Sequence, residues 1–317
     1  MKRNEFFISI ILLIFCMITS CSEKSTNPPE KELNDITNPP GGYVNEIAIN
    51  SRGDFFASTW NGIFRSTDYG SSWDTVRGGM NVTELKITAD DVIFISFYIF
   101  NAPEILRSSD NGITWTQLTS PVLFISSIEE DRNGNIYVCG TGLYKSTDKG
   151  NTWEEIYQWS VYDAFIPNDS TILIGIPGTF SGQILYSSDN GSSWDSTGHN
   201  VNVSAFYRYG SFIFTGGFFG DEGGGGVHKS TNGGINWEAL GLYQTSITSF
   251  ITNKLNQLFI GTDKGIYFTE DAGVTWQNVL ADSVVTTLTR DSKNYLYAGT
   301  NKGTFLRSTD NGMTWYN

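Results

Sequence analysis

Paired carboxylates are the side chains of this sequence that could most directly carry out a reaction. Two carboxyl groups about 5–10 Å apart can hydrolyse a glycosidic bond, one as the acid and the other as nucleophile or base. The strand order derived below places four candidates on one face: Glu104, Asp163, Asp221 and Glu222. Acidic side chains in loops are ordinarily solvated, so we interpret these four as surface charge and keep glycoside hydrolysis as an alternative.

Other kinds of catalytic site find little support. The two histidines, His199 and His228, are far apart in the sequence, and neither has neighbours at the spacing of metal ligands. The glycine run at 223–226 lacks the following Gly-Lys-Ser/Thr of a phosphate-binding loop. No Ser-His-Asp or Cys-His arrangement is evident. We therefore predict no metal, no cofactor and no catalytic residue.

Aromatic side chains in loops are the stronger candidates for ligand contacts. Aromatic rings suit sugar rings and peptide anchors alike, and they are enriched at binding hot spots. Trp60, Trp159 and Phe180 lead because they lie in predicted loops, where packing between strands does not explain them. The full candidate set is Trp60, Tyr98, Phe100, Trp159, Phe180, Phe218, Phe219 and Tyr243.

The elements that position these residues follow from one motif, Ser/Thr-x-Asp-x-Gly-x-Thr/Ser-Trp, which recurs seven times. The copies occupy 66–73, 108–115, 146–153, 187–194, 230–237, 269–276 and 308–315. Their third residues are Asp68, Asp110, Asp148, Asp189, Asn232, Asp271 and Asp310. Successive copies are 38 to 43 residues apart, close to the roughly 40–45 residues of a four-stranded propeller blade.

The residues around each motif fit four short strands separated by Gly, Asn and Asp turns. We predict an all-β fold, a single seven-bladed β-propeller of four-stranded antiparallel blades over residues 43–317. In this order the motifs share one face with the turns between first and second strands. The loops between second and third strands share the opposite face with the blade-to-blade connections. We call this second face the open face, and we expect it to carry function because loops commonly do.

The motif resembles the Asp-box, or BNR repeat, of sialidases, sortilin-type receptors, xyloglucan-cleaving propellers and photosystem II assembly factors. The resemblance covers nearly all of the chain after Gly42, and it implies the propeller fold without specifying a function. In such a turn the Asp carboxylate accepts backbone N–H groups and the Gly adopts a conformation that other residues resist. The resembling enzymes carry their boxes away from the active site. We therefore predict that all seven motifs are structural.

A sialidase or a xyloglucanase would need features that this chain does not obviously supply. Sialidases bind the substrate carboxylate with three arginines, whereas Arg77 alone lies near a blade-to-blade connection. The other arginines after the N-terminal segment precede motifs or lie in turns of the opposite face: Arg52, Arg65, Arg107, Arg132, Arg208, Arg290 and Arg307. Xyloglucan-cleaving relatives typically place two propellers face to face, and one is predicted here.

The N-terminus has the features of a secretion signal. Lys2 and Arg3 precede an apolar stretch at 6–18, which is shorter than the roughly 20 residues of a membrane span. The following Ile-Thr-Ser-Cys resembles the lipobox of bacterial lipoproteins, which implies cleavage before Cys21 and lipid attachment to it. By the same resemblance, Ser22 favours sorting to the outer membrane.

These features predict a signal peptide at 1–20, a lipidated cysteine with a flexible tether at 21–42, and a propeller held at the bacterial envelope. The formal net charge is −13. Loss of Lys2, Arg3 and Glu5 with the signal takes it to −14, which disfavours nucleic acid as a partner. Cys139 is expected to be buried in a strand.

We therefore expect a non-catalytic, envelope-anchored propeller, monomeric, that recognises a protein or a glycan through its open face. The first alternative is a glycoside hydrolase, for which a convergent carboxylate pair in a deep central pocket would be the discriminating feature. The second alternative is an assembly factor for a membrane protein complex. The photosynthetic assembly factors carry an arginine-rich patch, which this arginine-poor chain does not obviously have.

Overall fold

Seven antiparallel sheets follow one another in chain order, and each contains strands that are consecutive in sequence. The computed structural model describes residues 36–99, 102–178, 182–218 and 225–317, and the described residues contain no helix. This confirms the predicted all-β, seven-bladed propeller. Within the described ranges, no helix has the length and apolar character needed to cross a membrane.

The first four blades each have four strands. Blade 1 comprises β1 (Val44–Ile49), β2 (Phe55–Thr59), β3 (Gly62–Ser66) and β4 (Asp74–Gly78). Blade 2 comprises β5 (Val82–Ile87), β6 (Ile93–Ile99), β7 (Ala102–Ser108) and β8 (Thr116–Leu118). Blade 3 comprises β9 (Ile125–Glu130), β10 (Ile136–Gly140), β11 (Leu143–Ser146) and β12 (Glu154–Tyr157). Blade 4 comprises β13 (Asp163–Phe165), β14 (Ile172–Ile176), β15 (Gln183–Ser187) and β16 (Asp195–Asn200).

Blades 5 and 6 repeat this pattern, and blade 7 is shorter. Blade 5 comprises β17 (Val203–Tyr209), β18 (Phe212–Gly217), β19 (Gly226–Ser230) and β20 (Glu238–Ala239). Blade 6 comprises β21 (Ile247–Thr252), β22 (Leu258–Thr262), β23 (Gly265–Thr269) and β24 (Gln277–Ala281). Blade 7 comprises β25 (Val285–Arg290), β26 (Leu296–Thr300) and β27 (Phe305–Ser308). Its outer strand is reduced to one bridge between Arg307 and Tyr316.

The apolar core lies between neighbouring blades. Phe94 and Ile105 of blade 2, for example, pack in one cluster with Ile128 and Val138 of blade 3. The second strand of a blade is covered on both faces, so it is a nearly continuous apolar run. Cys139 lies in such a strand and is a buried free thiol, as expected.

The repeated motif forms a tight turn between the third and fourth strands of a blade. In the third copy the Ser146 hydroxyl donates to Asp148 Oδ1 at 2.8 Å and accepts from Gly150 N at 2.7 Å. Asp148 Oδ1 also accepts from Thr152 N at 2.8 Å, and Asp148 Oδ2 accepts from the Thr152 hydroxyl at 2.7 Å. The N–H and hydroxyl of Thr152 hold the pKa of Asp148 at about 2. Gly150 has a φ of 87°, a backbone conformation that favours glycine.

The same contacts recur in the other copies. The fifth, in which asparagines replace the aspartate and the Thr/Ser, keeps all of them except the bond between the second carboxylate oxygen and a hydroxyl. Asn232 Oδ1 accepts from Asn236 N at 2.9 Å, and the Ser230 hydroxyl accepts from Gly234 N at 2.8 Å. An uncharged side-chain oxygen at this position therefore suffices for the backbone contacts of the turn.

We expect Ser146→Ala to destabilise the propeller by about 1–3 kcal/mol, because it leaves the buried Gly150 N–H without an acceptor. Ser146 is 1% exposed, so water cannot readily replace the hydroxyl. Denaturant unfolding of the variant measures the change. Ser192→Ala is the control, because its exposed hydroxyl bonds only to Asp189 O in the structure and should change stability by less than about 0.5 kcal/mol. Equal stability of the two variants would contradict the structural role of Ser146.

The inner strands form a hub in which each blade is tied to the next. In every blade except the fourth, the second residue of the inner strand lies at a β-bulge, as at Ser126 and Thr286. The Ser126 hydroxyl donates to Val161 O at 2.7 Å, across the junction of blades 3 and 4. The Thr286 hydroxyl donates to Val44 O at 2.7 Å and thereby joins the last blade to the first.

Residues 36–38, within the predicted tether, also pack at this junction of blades 7 and 1. Ile36 is buried in a cluster with Phe55 and Phe305. Trp73 Nε1 donates to Thr37 O at 2.9 Å, and Phe305 N donates to Asn38 Oδ1 at 2.8 Å. The segment therefore contacts both blades that must meet for the ring to close.

Candidate functional site

In six blades the third residue of the inner strand faces the axis of the propeller, and in blade 4 the first residue of β13, Asp163, takes this place. These residues line a central cavity of about 510 Å³, which we call the channel. In blade order they are Glu46, Glu84, Ser127, Asp163, Ala205, Ser249 and Thr287. Since each inner strand begins at a blade-to-blade connection, these positions lie toward the open face.

Blades 1 to 4 make their half of the channel acidic. Glu46 and Glu84 are the third residues of β1 and β5, and Asp163 begins β13. Glu129, two residues after Ser127 in β9, joins them. Lys86 is the one cation among the described lining residues, and its Nζ lies 2.6 Å from Glu129 Oε2. The half of the channel formed by blades 5 to 7 is instead lined by hydroxyl, alanine and aromatic side chains.

Two of these carboxylates accept backbone N–H groups from the neighbouring blade. Glu46 Oε2 accepts from Leu85 N at 3.0 Å, and Asp163 Oδ2 accepts from Phe206 N at 3.0 Å. Both therefore also tie adjacent inner strands together. Glu84 makes no hydrogen bond within the described part of the chain, although it faces the same cavity.

Burial and mutual repulsion make these carboxyls weak acids. Burial raises the pKa of Glu46 to about 7 against the opposing effect of Lys86. Burial also raises the pKa of Asp163 to about 7, and the negative charge of Glu129 adds to it. The pKa of Glu84 is raised well above its usual value by burial and by the charge of Glu46. The channel therefore exchanges protons near neutral pH.

Lys86 responds in the opposite way. Burial alone would lower the pKa of its ammonium group, but the adjacent Glu129 carboxylate outweighs burial and raises it. Lys86 therefore stays charged inside the channel.

The predicted aromatic residues that the structure describes lie at the open face. Trp60 follows β2 beside the start of β1, is 59% exposed, and stacks on Tyr43 with ring centroids 4.8 Å apart. Trp159 and Tyr243 lie in blade-to-blade connections and are 65% and 60% exposed. The Tyr98 hydroxyl accepts from Ile125 N at 3.2 Å.

The structure brings few of the predicted residues into the channel itself. Phe218 and Asp163 line it. Glu104 does not, and its carboxylate accepts from Gln117 Nε2 at 2.5 Å in blade 2. The remaining candidates lie outside the described residues: Cys21, Phe100, Phe180, Phe219, Asp221 and Glu222.

Sequence reasoning missed Glu46, Glu84, Lys86 and Glu129. A signal was present, because these residues are the third or fifth of an inner strand whose first residue is apolar. Aligning the seven inner strands would have placed them on one axis. Only the closed ring shows that they face each other.

The two histidines, distant in sequence, are neighbours in the structure. His199 Nε2 lies 2.8 Å from His228 Nδ1, at the contact between β16 and β19. Burial and the proximity of His199 lower the pKa of His228 to about 4. No group of three or more His, Cys, Asp or Glu side chains in the described ranges is placed to hold a metal ion.

Comparison with known proteins supports the fold and leaves the function open. No family model matches the chain. A probable oligoxyloglucan-reducing end-specific xyloglucanase of Neosartorya fischeri is 28% identical over 172 residues, which cover 48% of this chain and 20% of that protein. The chain thus matches about a fifth of the length of this relative.

Solved propellers resemble the whole ring. An extracellular domain assigned to a one-component system of B. thetaiotaomicron superposes with a TM-score of 0.70 at 13% identity, covering 87% of this chain and 39% of that one. The structure of YCF48 bound to D1 peptide superposes with a TM-score of 0.64 at 15% identity, and the match covers 86% of this chain and 95% of that one. At such identities the similarity shows the propeller fold alone.

Proposed function

We propose that this protein is a non-catalytic binding propeller of the bacterial envelope, which recognises a protein or a glycan through its open face. The observation that carries the proposal is the channel, a cavity of about 510 Å³ lined by charged and hydroxyl side chains. Pockets with a few convergent polar groups are the usual ligand sites of proteins.

The exposed aromatic rings support the same face. Trp60 adjoins the inner strand that carries Glu46, because Trp60 N donates to Tyr43 O at 3.3 Å just before β1 begins. Phe218 both lines the channel and is 46% exposed. Exposed aromatic rings next to a polar cavity form the hydrophobic contacts of a binding site, while the cavity supplies specificity.

The envelope location belongs to this proposal as well. The lipobox-like segment ending at Cys21 supports a lipid anchor, and Ser22 supports the outer membrane. The similarity to an extracellular bacterial domain supports exposure outside the cytoplasm. The protein's acidic charge supports protein or glycan partners rather than nucleic acid.

The test measures retention of the full chain, purified in mild detergent, on a panel of immobilised polysaccharides, sialosides and envelope proteins. We expect retention by at least one of them, and Trp159→Ala to weaken it by about tenfold or more, as for an aromatic hot spot. Ile113→Ala is the control, because Ile113 is 76% exposed, somewhat more than Trp159, but lies in a motif turn of the opposite face. Retention that both variants weaken equally, or no retention at all, would overturn the proposal.

Glycoside hydrolysis stays as the second candidate because several carboxyls line the same channel. The raised pKa values of Glu84 and Asp163 suit a general acid at neutral pH. Release of sugar during the retention experiment, abolished by Asp163→Asn or Glu84→Gln, would replace the binding function with this one.

A further inference from the structure

We infer that the channel binds a primary ammonium group of the ligand, next to Glu84 and Asp163. This inference rests on the proposed function, because it names the chemistry that the channel recognises. An ammonium group could belong to a lysine side chain of a partner protein or to a free amine, and the experiment below separates these sources.

The protein itself shows that the channel accommodates an ammonium group. Lys86 Nζ is held by Glu129 Oε2 at 2.6 Å within the lining. A hydrogen-bonded carboxylate offsets the cost of removing an ammonium group from water. The lysine–carboxylate pair of Lys86 and Glu129 is therefore an example, within the protein, of the contact that a ligand ammonium group would make.

The channel has more carboxyls than cations. Every titratable side chain of its described lining that can carry charge near neutral pH comes from blades 1 to 4. They are Glu46 of β1, Glu84 and Lys86 of β5, Glu129 of β9, and Asp163 of β13. Lys86 neutralises one carboxylate, so three carboxyls face the cavity without a cation of their own. A ligand cation would relieve their mutual repulsion.

An independent observation comes from Ser127, which lines the cavity between the acidic blades. The residue is 8% exposed, and its hydroxyl, like those of Ser204 and Ser249 on the opposite side of the lining, has no close hydrogen-bond partner among the described residues. The Asp163 carboxylate is near enough to Ser127 to interact with it. Buried hydroxyls are normally satisfied. A ligand ammonium group donating to Asp163 would also offer Ser127 a donor.

The remaining lining fits the carbon chain that carries the ammonium group. Phe218 lies at the open-face end of the channel, and Ala205 occupies the third position of β17. An aromatic ring attracts a cation over its face and packs well against methylene groups. An alkylammonium group can therefore enter from the open face with its charge toward blades 2 and 4.

The experiment uses isothermal titration calorimetry of the full chain in mild detergent, with 1,5-diaminopentane and with the peptide acetyl-Gly-Lys-Gly-amide as probes. We expect at least one of them to bind, and Glu84→Gln to weaken that binding by about tenfold or more, since a hydrogen bond to a charged group is lost. Glu270→Gln is the matched control, because Glu270 is an exposed carboxylate that bonds Gln257 outside the channel. Peptide binding without diamine binding identifies a lysine side chain as the ligand, and the reverse identifies a free amine.

Binding should also release protons, because a cation favours the ionised carboxylates. We therefore expect affinity to rise by up to about tenfold per pH unit between pH 6 and 8 for one released proton. The measured heat should differ between phosphate and Tris buffers for the same reason.

Absence of binding by both probes at millimolar concentration would overturn the inference. Binding of tetramethylammonium, which has no N–H donor, or of calcium chloride as strongly as the amine probes would also overturn it. Equal affinity of Glu84→Gln and the wild type for the amine probes would do the same. The retention experiment on polysaccharides and proteins is separate. If Glu84→Gln is retained on the panel as strongly as the wild type, the proposed binding function stands but the ammonium site is ruled out.

Discussion

Replacing Glu84 with glutamine is expected to stabilise the propeller, by an amount that grows as the pH rises. In the folded chain the pKa of Glu84 is raised well above its usual value by burial and by Glu46. Above about pH 4.5 the unfolded chain therefore releases a proton that the folded chain retains, and folded stability falls with increasing pH. Glutamine has the same shape and no charge, so the variant escapes this loss.

The gain should grow from pH 5 towards pH 7, because a proton that the folded chain retains and the unfolded chain releases changes stability by up to about 1.4 kcal/mol per pH unit. Denaturant unfolding of variant and wild type across this range measures it. The His199–His228 pair acts in the opposite direction, because depressed histidine pKa values reduce stability as the pH falls below about 6.5. That effect is common to both proteins and cancels in their difference.

Glu270→Gln serves again as the control and should show no pH-dependent gain. A constant or decreasing difference between Glu84→Gln and the wild type would show that Glu84 is not a buried acid in the channel. The same result bears on the ammonium site, because a stabilised Glu84→Gln variant that no longer binds amine has lost a contact rather than its fold.

Ile36→Ala is expected to destabilise the propeller by about 2–4 kcal/mol, through the loss of a buried side chain at the junction of blades 7 and 1. Ile36 is 7% exposed and packs with Phe55 and Phe305. Asn38→Ala should add about 1 kcal/mol, because its side chain accepts the Phe305 N–H. Together the two substitutions should lower the melting temperature by roughly 10 °C.

Thr37→Ala is the matched control within the same segment. Alanine retains the backbone hydrogen bonds of residue 37 to Gly70 and Trp73. It loses only the weak hydroxyl bonds to Gly70 O at 3.4 Å and Ser71 O at 3.2 Å, so the change should stay below about 1 kcal/mol. Thermal unfolding followed by tryptophan fluorescence suits the comparison. If Ile36→Ala unfolded like Thr37→Ala, the segment would merely lie on the ring without closing it.

The position of Thr37 explains why this segment belongs to the last blade. In blade 3 the motif tryptophan, Trp153, donates from Nε1 to Thr119 O, which follows the outer strand of the preceding blade. In blade 1 the equivalent Trp73 donates to Thr37 O instead. Residue 37 thus supplies the carbonyl acceptor that would otherwise come from the chain after the outer strand of blade 7. That outer strand is reduced to a single bridge at Tyr316.

The sequence by itself determined the architecture. A turn motif repeated at the spacing of a blade needs only local contacts, such as those of Ser146, Asp148 and Gly150, and local contacts can be predicted from neighbouring residues. The same periodicity placed the motifs on one face and Trp60, Trp159 and Tyr243 on the other. The apolar run at 136–139 likewise predicted that Cys139 is buried.

Only the tertiary structure decided what lies at the centre. Glu46, Glu84, Glu129 and Asp163 come from four blades, about 40 residues apart in sequence. Each could have been solvated surface charge when considered alone, and Asp163 was so interpreted. Closure of the ring places them around one axis, where they share burial, repulsion and a single lysine. The pairing of His199 with His228 has the same cause, because contacts between blades depend on how the repeats stack and not on the residues within any one of them.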